Sequence, residues 1–467
     1  MQTSIFLKHK DDKVAFLELN EETGMIIRSS CYIPELMPYF RDMNLKELNQ
    51  WWKLRAIPEE RNDLKEKLEK SGCGTAELYL SKNLGLSLSD AYWVCPIDYS
   101  LQWADVNLYE NVKRTTFKYN DSPDDKDAYY EYGNDPNGSL NGSLKKDAFY
   151  EDGRWQLYKY SENTDGQQCI NEAFADLLHG KQGFNNYIKY SILLEAFSPQ
   201  EKKVNTGLED DKVKGCICDF FTNIHLELIP AYNIASSEIK DNETSRFEHY
   251  INVCRHHGLD ENLLRKFMDY QTLSDFIMSN EDRHYTNFGL LRDVDTLKIV
   301  SPAPIYDSGN SMFYKDSRIL TSREILEKKI NAIADYEEKM LTFVTDRNLV
   351  DINLLPSREE VSRFYSRYGI DGYKAEAIAH NYQLKIEMLE QFQKGVKVSR
   401  YTVKDWEAFK NSSLTKTETL LLEAIQNTMD LNGTDLKNNI ETPSKKKEDI
   451  SYKSENISLE NTEYDDR

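Results

Sequence analysis

Along the first thirty residues apolar and polar positions alternate as in strands. Val14 to Leu19 leads into Asn20-Glu21-Glu22-Thr23-Gly24, a turn with glycine where positive φ is easy, and Met25-Ile26-Ile27 follows, so a β-hairpin is expected. From Leu45 to Leu86 the pattern is helical and charged, with a helix predicted over Glu59–Ser71 and ending at Gly72. Residues 111–153 are rich in Asp, Asn, Gly and Ser and read as loops. Glu151-Asp152-Gly153-Arg154 then gives a hairpin signal, and Trp155–Tyr160 reads as the strand that follows it. A helix is predicted over Ile170–Leu178, ending near Gly180, with further strands at Tyr187–Leu194 and Gly215–Phe221. Leu263, Phe267, Tyr270, Leu273 and Ile277 recur at spacings of three and four and predict one apolar helix face. A hairpin follows, Phe288–Arg292 and Leu297–Val300, turned at Asp293–Thr296. Ile378, Tyr382, Ile386 and Leu389 mark a long helix with Gly395 at its end. Residues 431–467 are polar and are expected to be disordered, so that deleting them would leave the melting temperature nearly unchanged.

At 467 residues the chain has length for two or three domains of about 100–200 residues each. Its formal charge of −20 repels phosphate backbones and acidic membranes, which disfavours direct nucleic-acid binding. No stretch approaches the ~18 consecutive apolar residues of a membrane span. The start, MQTSIFLKHKDDK, has no long apolar run of the export kind. The seven cysteines include no C-x-x-C pair and read as buried thiols, so a cytoplasmic location is expected.

The segment with the most chemistry is Ser279-Asn280-Glu281-Asp282-Arg283-His284-Tyr285-Thr286-Asn287-Phe288-Gly289, on the loop between the apolar helix and the hairpin. Phosphoryl transfer to a hydroxyl needs a carboxylate to receive the proton and oxygens to hold the metal that bridges the phosphates. Protein kinases place these two jobs five residues apart on one loop, the spacing of Asp282 and Asn287. Twenty residues on comes Pro304-Ile305-Tyr306-Asp307-Ser308-Gly309, where a carboxylate after a short apolar strand suits a second Mg²⁺ ligand. Each fragment alone is common: Asp282 reads equally as a loop cap, Arg283-His284 as a solvated pair, and D-S-G as a turn. The order of helix, Asp/Asn loop, hairpin and Asp-x-Gly gives them weight together.

N-x-D-R-H-x-x-N-F-G followed by P-I-Y-D-S-G resembles the catalytic core of the HipA-like Ser/Thr kinases, a family related in fold to protein and lipid kinases and found in toxin–antitoxin modules. The resemblance implies an α+β, bilobal protein-kinase-like fold with a mixed β/α N-lobe (about 111–235) and a mainly helical C-lobe (about 236–430). Residues 1–110 would form an N-terminal α/β accessory region. It implies Asp282 as catalytic base and Asn287 and Asp307 as Mg²⁺ ligands. It asks for an upstream lysine and glutamate that touch ATP phosphates as an ion pair, and Lys159 and Glu172 fit. Asn137–Lys146, with Gly142, Ser143 and Lys145, is similar to the family's short phosphate loop. The resemblance further implies self-silencing by phosphorylation of a serine there, Ser143 before Ser139. It covers roughly Asn137 to Gly395; Lys82–Asp90 with Tyr92-Trp93 gives a fainter likeness to N-terminal regions of such kinases. A protein Ser/Thr hydroxyl is the implied acceptor, and an antitoxin or other regulatory protein an implied partner. A nucleotide-binding pseudokinase and a kinase-fold enzyme acting on a small molecule both stay open on the sequence.

Overall fold

In the computed structural model the described residues are 2–112, 116–120, 129–133, 135–140, 142–161, 165–194 and 213–401; Asn141 of the expected phosphate loop and the expected tail at 431–467 lie outside them. The architecture is mixed α+β, with antiparallel sheets and helices.

The N-terminal hairpin forms as the alternation predicts. β1 (Gln2–His9), β2 (Asp12–Asn20) and β3 (Ile26–Cys31) pair antiparallel in sequence order. Helix α1 (Leu45–Arg55) packs Leu48, Trp51 and Trp52 into the core beneath them and starts on a capping box between Asn44 and Glu47. Helix α2 runs only over Leu64–Ser71, five residues later than its periodicity suggests. The reason is local: Arg61 N–H closes a turn on Pro58 O, and the Arg61 guanidinium takes the Asp63 carboxylate. At its end Gly72 turns left-handed, with φ 66°. After α3 (Ala76–Lys82), strand β4 (Tyr92–Pro96) joins the other side of β1, giving the order β3-β2-β1-β4. Helix α4 (Trp103–Val106) follows.

The stretch read as loops holds strands as well: β5 (Thr116–Asn120) pairs with β6 (Tyr129–Gly133), and β7 (Lys146–Glu151) pairs with β8 (Arg154–Tyr160). The β7–β8 turn is the two-residue Asp152-Gly153, with φ of 51° and 80°, a backbone hand that matches strand twist. Helix α5 (Gln167–Lys181) crosses beside this sheet, which β9 (Ser191–Leu193) and β10 (Gly215–Asp219) complete in the order β7-β8-β10-β9. Only Ser191–Leu193 of the strand expected at Tyr187–Leu194 forms, because Tyr187 makes a parallel bridge with Ile305 instead.

β11 (Leu226–Pro230) leads into α6 (Ala231–Ala235), α7 (Arg246–His256) and α8 (Glu261–Met278). On α8 Phe267, Tyr270, Leu273 and Ile277 are buried as their spacing predicts, but Leu263 is 52% exposed and Leu264 takes the inward place. β12 (Gly289–Asp293) and β13 (Ile299–Pro302) form the expected hairpin, and β12 pairs with β11 on its other side, giving the order β11-β12-β13. The remainder is helical: α9 (Ser322–Leu326), α10 (Arg358–Arg367) and α11 (Gly372–Gln393), all feeding the core around Phe174, Phe276, Tyr365 and Tyr382. No helix among the described residues is long and apolar enough to cross a membrane.

The N-terminal strands are joined to β11–β13 through a buried charge cluster. Arg292 on β12 donates to Glu227 on β11 at 2.7 Å, and His9 on β1 reaches the same carboxylate at 3.1 Å. Ala91 N–H donates to its other oxygen at 3.1 Å. Burial opposes the Glu227 charge, but Arg292 and His9 overcome it and hold its pKa down to about 2.

Candidate active site

β8 carries Lys159 to the face of its sheet that α5 and the 306–311 segment cover. Its ammonium bonds Glu172 Oε1 at 2.5 Å and Asp307 Oδ1 at 2.8 Å. Glu172, on α5, uses its second oxygen to accept Ser308 N–H at 2.9 Å, so one carboxylate fixes both the lysine and the backbone after Asp307. Asp307 itself holds a left-handed backbone, φ 58°, unusual for a residue with a side chain. Next to it Gly309 is pressed on α5: a Cβ there would sit 3.1 Å from Gln168 O. Asn171 donates to Gly309 O at 2.8 Å and Ser311 O at 2.7 Å, which pins the turn from the other side.

Cross-strand register sets a second lysine beside the first. Lys146 on β7 lies directly opposite Lys159 and is only 7% exposed. Like charges opposed on one sheet face repel, so this pairing needs anionic company. Burial pushes the Lys146 pKa down to about 8, against the pull of Asp307. For Lys159 burial acts the same way, yet Asp307 and Glu172 outweigh it and the pKa stands well above the ordinary lysine value. Asp307 is held well below the carboxylate range: burial would raise it, and Lys159 followed by Lys146 reverse that.

Arg283 is not a solvated residue but the buried hub of the loop, 1% exposed. It grips Asp275 of α8 with bonds of 2.9 and 3.0 Å, donates to Asn287 O at 3.0 Å and to Tyr306 O, and reaches Ser308 Oγ at 3.1 Å. One guanidinium therefore joins the Asp282/Asn287 loop to the segment holding Asp307. Asn287 donates its amide to Asp282 O at 2.8 Å. Asp282 is about a third exposed, at 31% of its side chain, and accepts from Asn310 and Asn331. His284 stands 3.7 Å from it and takes Thr286 N–H on Nδ1 at 3.3 Å.

The Gly/Ser/Lys stretch sits at the edge of this cluster. Gly142 has φ 102° and lies against the Lys146 ammonium. Ser143 is exposed, whereas Ser139 is buried with its hydroxyl unpartnered among the described residues. Lys145 lies over the Tyr160 ring at 4.6 Å, on the face away from Lys146. Residues in and flanking α2 and α3 hold the stretch. Arg61 donates to Leu140 O at 2.7 Å, Tyr79 to Asp135 Oδ2 at 2.5 Å, and Asp135 N–H to Asn83 Oδ1 at 3.0 Å. Asn137 Oδ1 accepts Ala148 N–H at 2.7 Å.

Lys159, Glu172 and Asp307 are thus in direct contact, and Asp282 and Asn287 share a loop tied to Asp307 through Arg283. Lys146, Arg283 and Asn331 are additions that the fold makes. Arg283 lay inside a legible motif. For Lys146, strand alternation once β7 is known is the signal that would have selected it over Lys145. As for a metal, Asn287 directs its amide group inward to Asp282 O, which leaves its carbonyl oxygen for a cation, and Lys159 bonds Asp307 through Oδ1, leaving Oδ2 for the same ion. One carboxylate and one amide oxygen suit Mg²⁺, which keeps the rest of its shell for water and phosphate.

No family model and no curated protein matches the chain. Among solved structures it is similar to the crystal structure of a Helicobacter pylori proinflammatory kinase, CtkA, with a TM-score of 0.35 and 13% identity, over 57% of this chain and 96% of that one.

Proposed function

We propose that this chain is an ATP- and Mg²⁺-dependent phosphotransferase, a HipA-like kinase that phosphorylates a serine or threonine hydroxyl of a protein. The observation that carries the reading is the pair of buried lysines directly opposite each other on β7 and β8, with Lys159 bonded to both Asp307 and Glu172. Two ammoniums brought together on one buried face repel each other, and phosphate oxygens arriving between them would relieve that repulsion. Lys159 and Lys146 bind phosphate oxygens, Lys159 being oriented by Glu172. Asn287 and Asp307 would hold Mg²⁺, which when bound offsets phosphate charge. Asp282 orients the acceptor hydroxyl; as its oxygen bonds the γ-phosphorus and the bond to the ADP oxygen breaks, the hydroxyl proton passes to the Asp282 carboxylate. The deciding experiment incubates the chain with labelled ATP and Mg²⁺, with and without cell lysate. Label on protein is expected; a chain that binds nucleotide but transfers no label and releases no ADP is not a kinase.

Replacing Asn287 or Asp307 by alanine should weaken Mg²⁺-dependent ATP binding, Asp307→Ala the more because a full charge goes. Calorimetry of ATP with and without Mg²⁺ checks this, and an unchanged Mg²⁺ dependence in both variants removes the metal role.

Lys146 adds a pH signature. Its ammonium is fully present below about 8 and is lost above it, while bound phosphates favour the charged form. ATP affinity should therefore fall by about tenfold from pH 7 to pH 9. In Lys146→Met affinity should be lower at pH 7 and flat across that range; a wild-type profile in the variant would assign the titration elsewhere.

A further inference from the structure

The side chain of Asp282 is held from two sides by two asparagines distant in sequence. On the buried side Asn310 Nδ2 donates to Oδ2 at 2.8 Å. Asn310 is itself fixed, since Gln168 donates to its Oδ1 at 2.7 Å and Glu281 N–H donates to its backbone carbonyl at 3.0 Å. On the exposed side Asn331 Nδ2 donates to Oδ1 at 3.1 Å. Asn331 belongs to a short hairpin-like loop closed by the Lys329–Tyr336 bridge and by Ile330 N–H on Asp335 O at 3.0 Å. That loop is anchored to the Asp282 segment through main chain, Asn331 N–H on Glu281 O at 2.7 Å, and through Lys328 on the Glu281 carboxylate.

Each carboxylate oxygen accepts about two hydrogen bonds. Two amide donors therefore fix the plane of the Asp282 carboxylate and still leave an acceptor position on Oδ1, the oxygen on the exposed side. We propose that Asn331 is a positioning residue for phosphoryl transfer, holding Asp282 Oδ1 toward the arriving hydroxyl, and that its loop borders the acceptor's entry. This rests on the kinase reading above. Because Asn331 is exposed and anchored by its backbone N–H, changing its side chain leaves the loop's closing hydrogen bonds in place.

The test is steady-state ADP release by the full chain, with water as the acceptor, for wild type, Asn331→Ala and Asn331→Asp. A misdirected base leaves nucleotide binding alone, so Asn331→Ala should lower kcat about ten- to a hundredfold with KM for ATP unchanged. Asn331→Asp should fall further, because a second carboxylate drives Asp282 out of line. Equal melting temperatures across the three chains are expected. If wild type releases ADP and both variants match it, or if alanine and aspartate are equivalent, the positioning role is overturned and the kinase reading stands. Loss of ATP affinity or of several degrees in melting temperature alongside kcat assigns Asn331 to the fold and also overturns it. A wild-type chain that binds MgATP yet neither releases ADP nor labels protein overturns the kinase reading instead.

Discussion

Asp282→Ala should abolish phosphoryl transfer while ATP still binds. The Asp282 side chain touches Asn310, Asn331 and the neighbourhood of His284, none of which belongs to the lysine–carboxylate cluster at Lys159. Its removal takes away the proton acceptor and the orientation of the incoming hydroxyl, and leaves Lys146, Lys159 and Asp307 in place. Loss of a general base lowers the rate by typically 10²–10⁴-fold. Single-turnover label transfer, paired with calorimetry of MgATP, separates the two quantities. Full transfer by the alanine variant removes Asp282 from the mechanism.

The second large effect is on stability, away from the site. Arg292→Met should destabilise the chain by about 3–5 kcal/mol, because Glu227 is then left buried without its guanidinium. Both groups are almost wholly inaccessible, 0% for Arg292 and 1% for Glu227, so water cannot take the lost partner's place. The double replacement Arg292→Met with Glu227→Leu should recover much of the loss, since an apolar pair carries no stranded charge. Urea unfolding measures both. A single variant within 1 kcal/mol of wild type would show that the cluster is more hydrated than its burial says. Glu227, held at a pKa of about 2, contributes stability above the ordinary glutamate range, and that contribution is lost as pH falls through about 2.

Local signals were read well where the physics is local. The Asp152-Gly153 turn, the Gly72 stop, the Asp293–Thr296 hairpin and the long helix before Gly395 all follow from short-range rules. The Asp282-to-Asn287 spacing and Asp307 were also visible, because each motif lies within a dozen residues. What escaped depends on tertiary placement. Lys146 and Lys145 are neighbours of one type, and only the pleat of β7 says which is buried. Arg283 looks like any loop arginine until Asp275, Tyr306 and Ser308 surround it. Asn331 is 49 positions from Asp282, with nothing between to announce the contact. Leu263 and Leu264 are neighbours in the first turn of their helix, and both lie three or four residues from Phe267; the fold turns Leu264 inward and leaves Leu263 out, a choice the spacing alone did not make.

The grip of Arg61 and Asn83 on Leu140 and Asp135 has an evolutionary consequence. Arg61 holds a carbonyl, that of Leu140, and Asn83 holds an N–H, that of Asp135; within the stretch itself Asn137 Oδ1 takes another N–H, that of Ala148. Main-chain atoms are the same whatever residue carries them. These two grips would survive a change of side chain at 140 or 135, whereas Arg61 and Asn83 supply theirs from the side chain; what fixes Leu140 itself is its burial in an apolar cluster, and what fixes the Asp135 carboxylate is the Tyr79 hydroxyl. Sequence change in this stretch is thus limited by its packing at Leu140 and by side-chain identity at positions 61 and 83, far away along the chain.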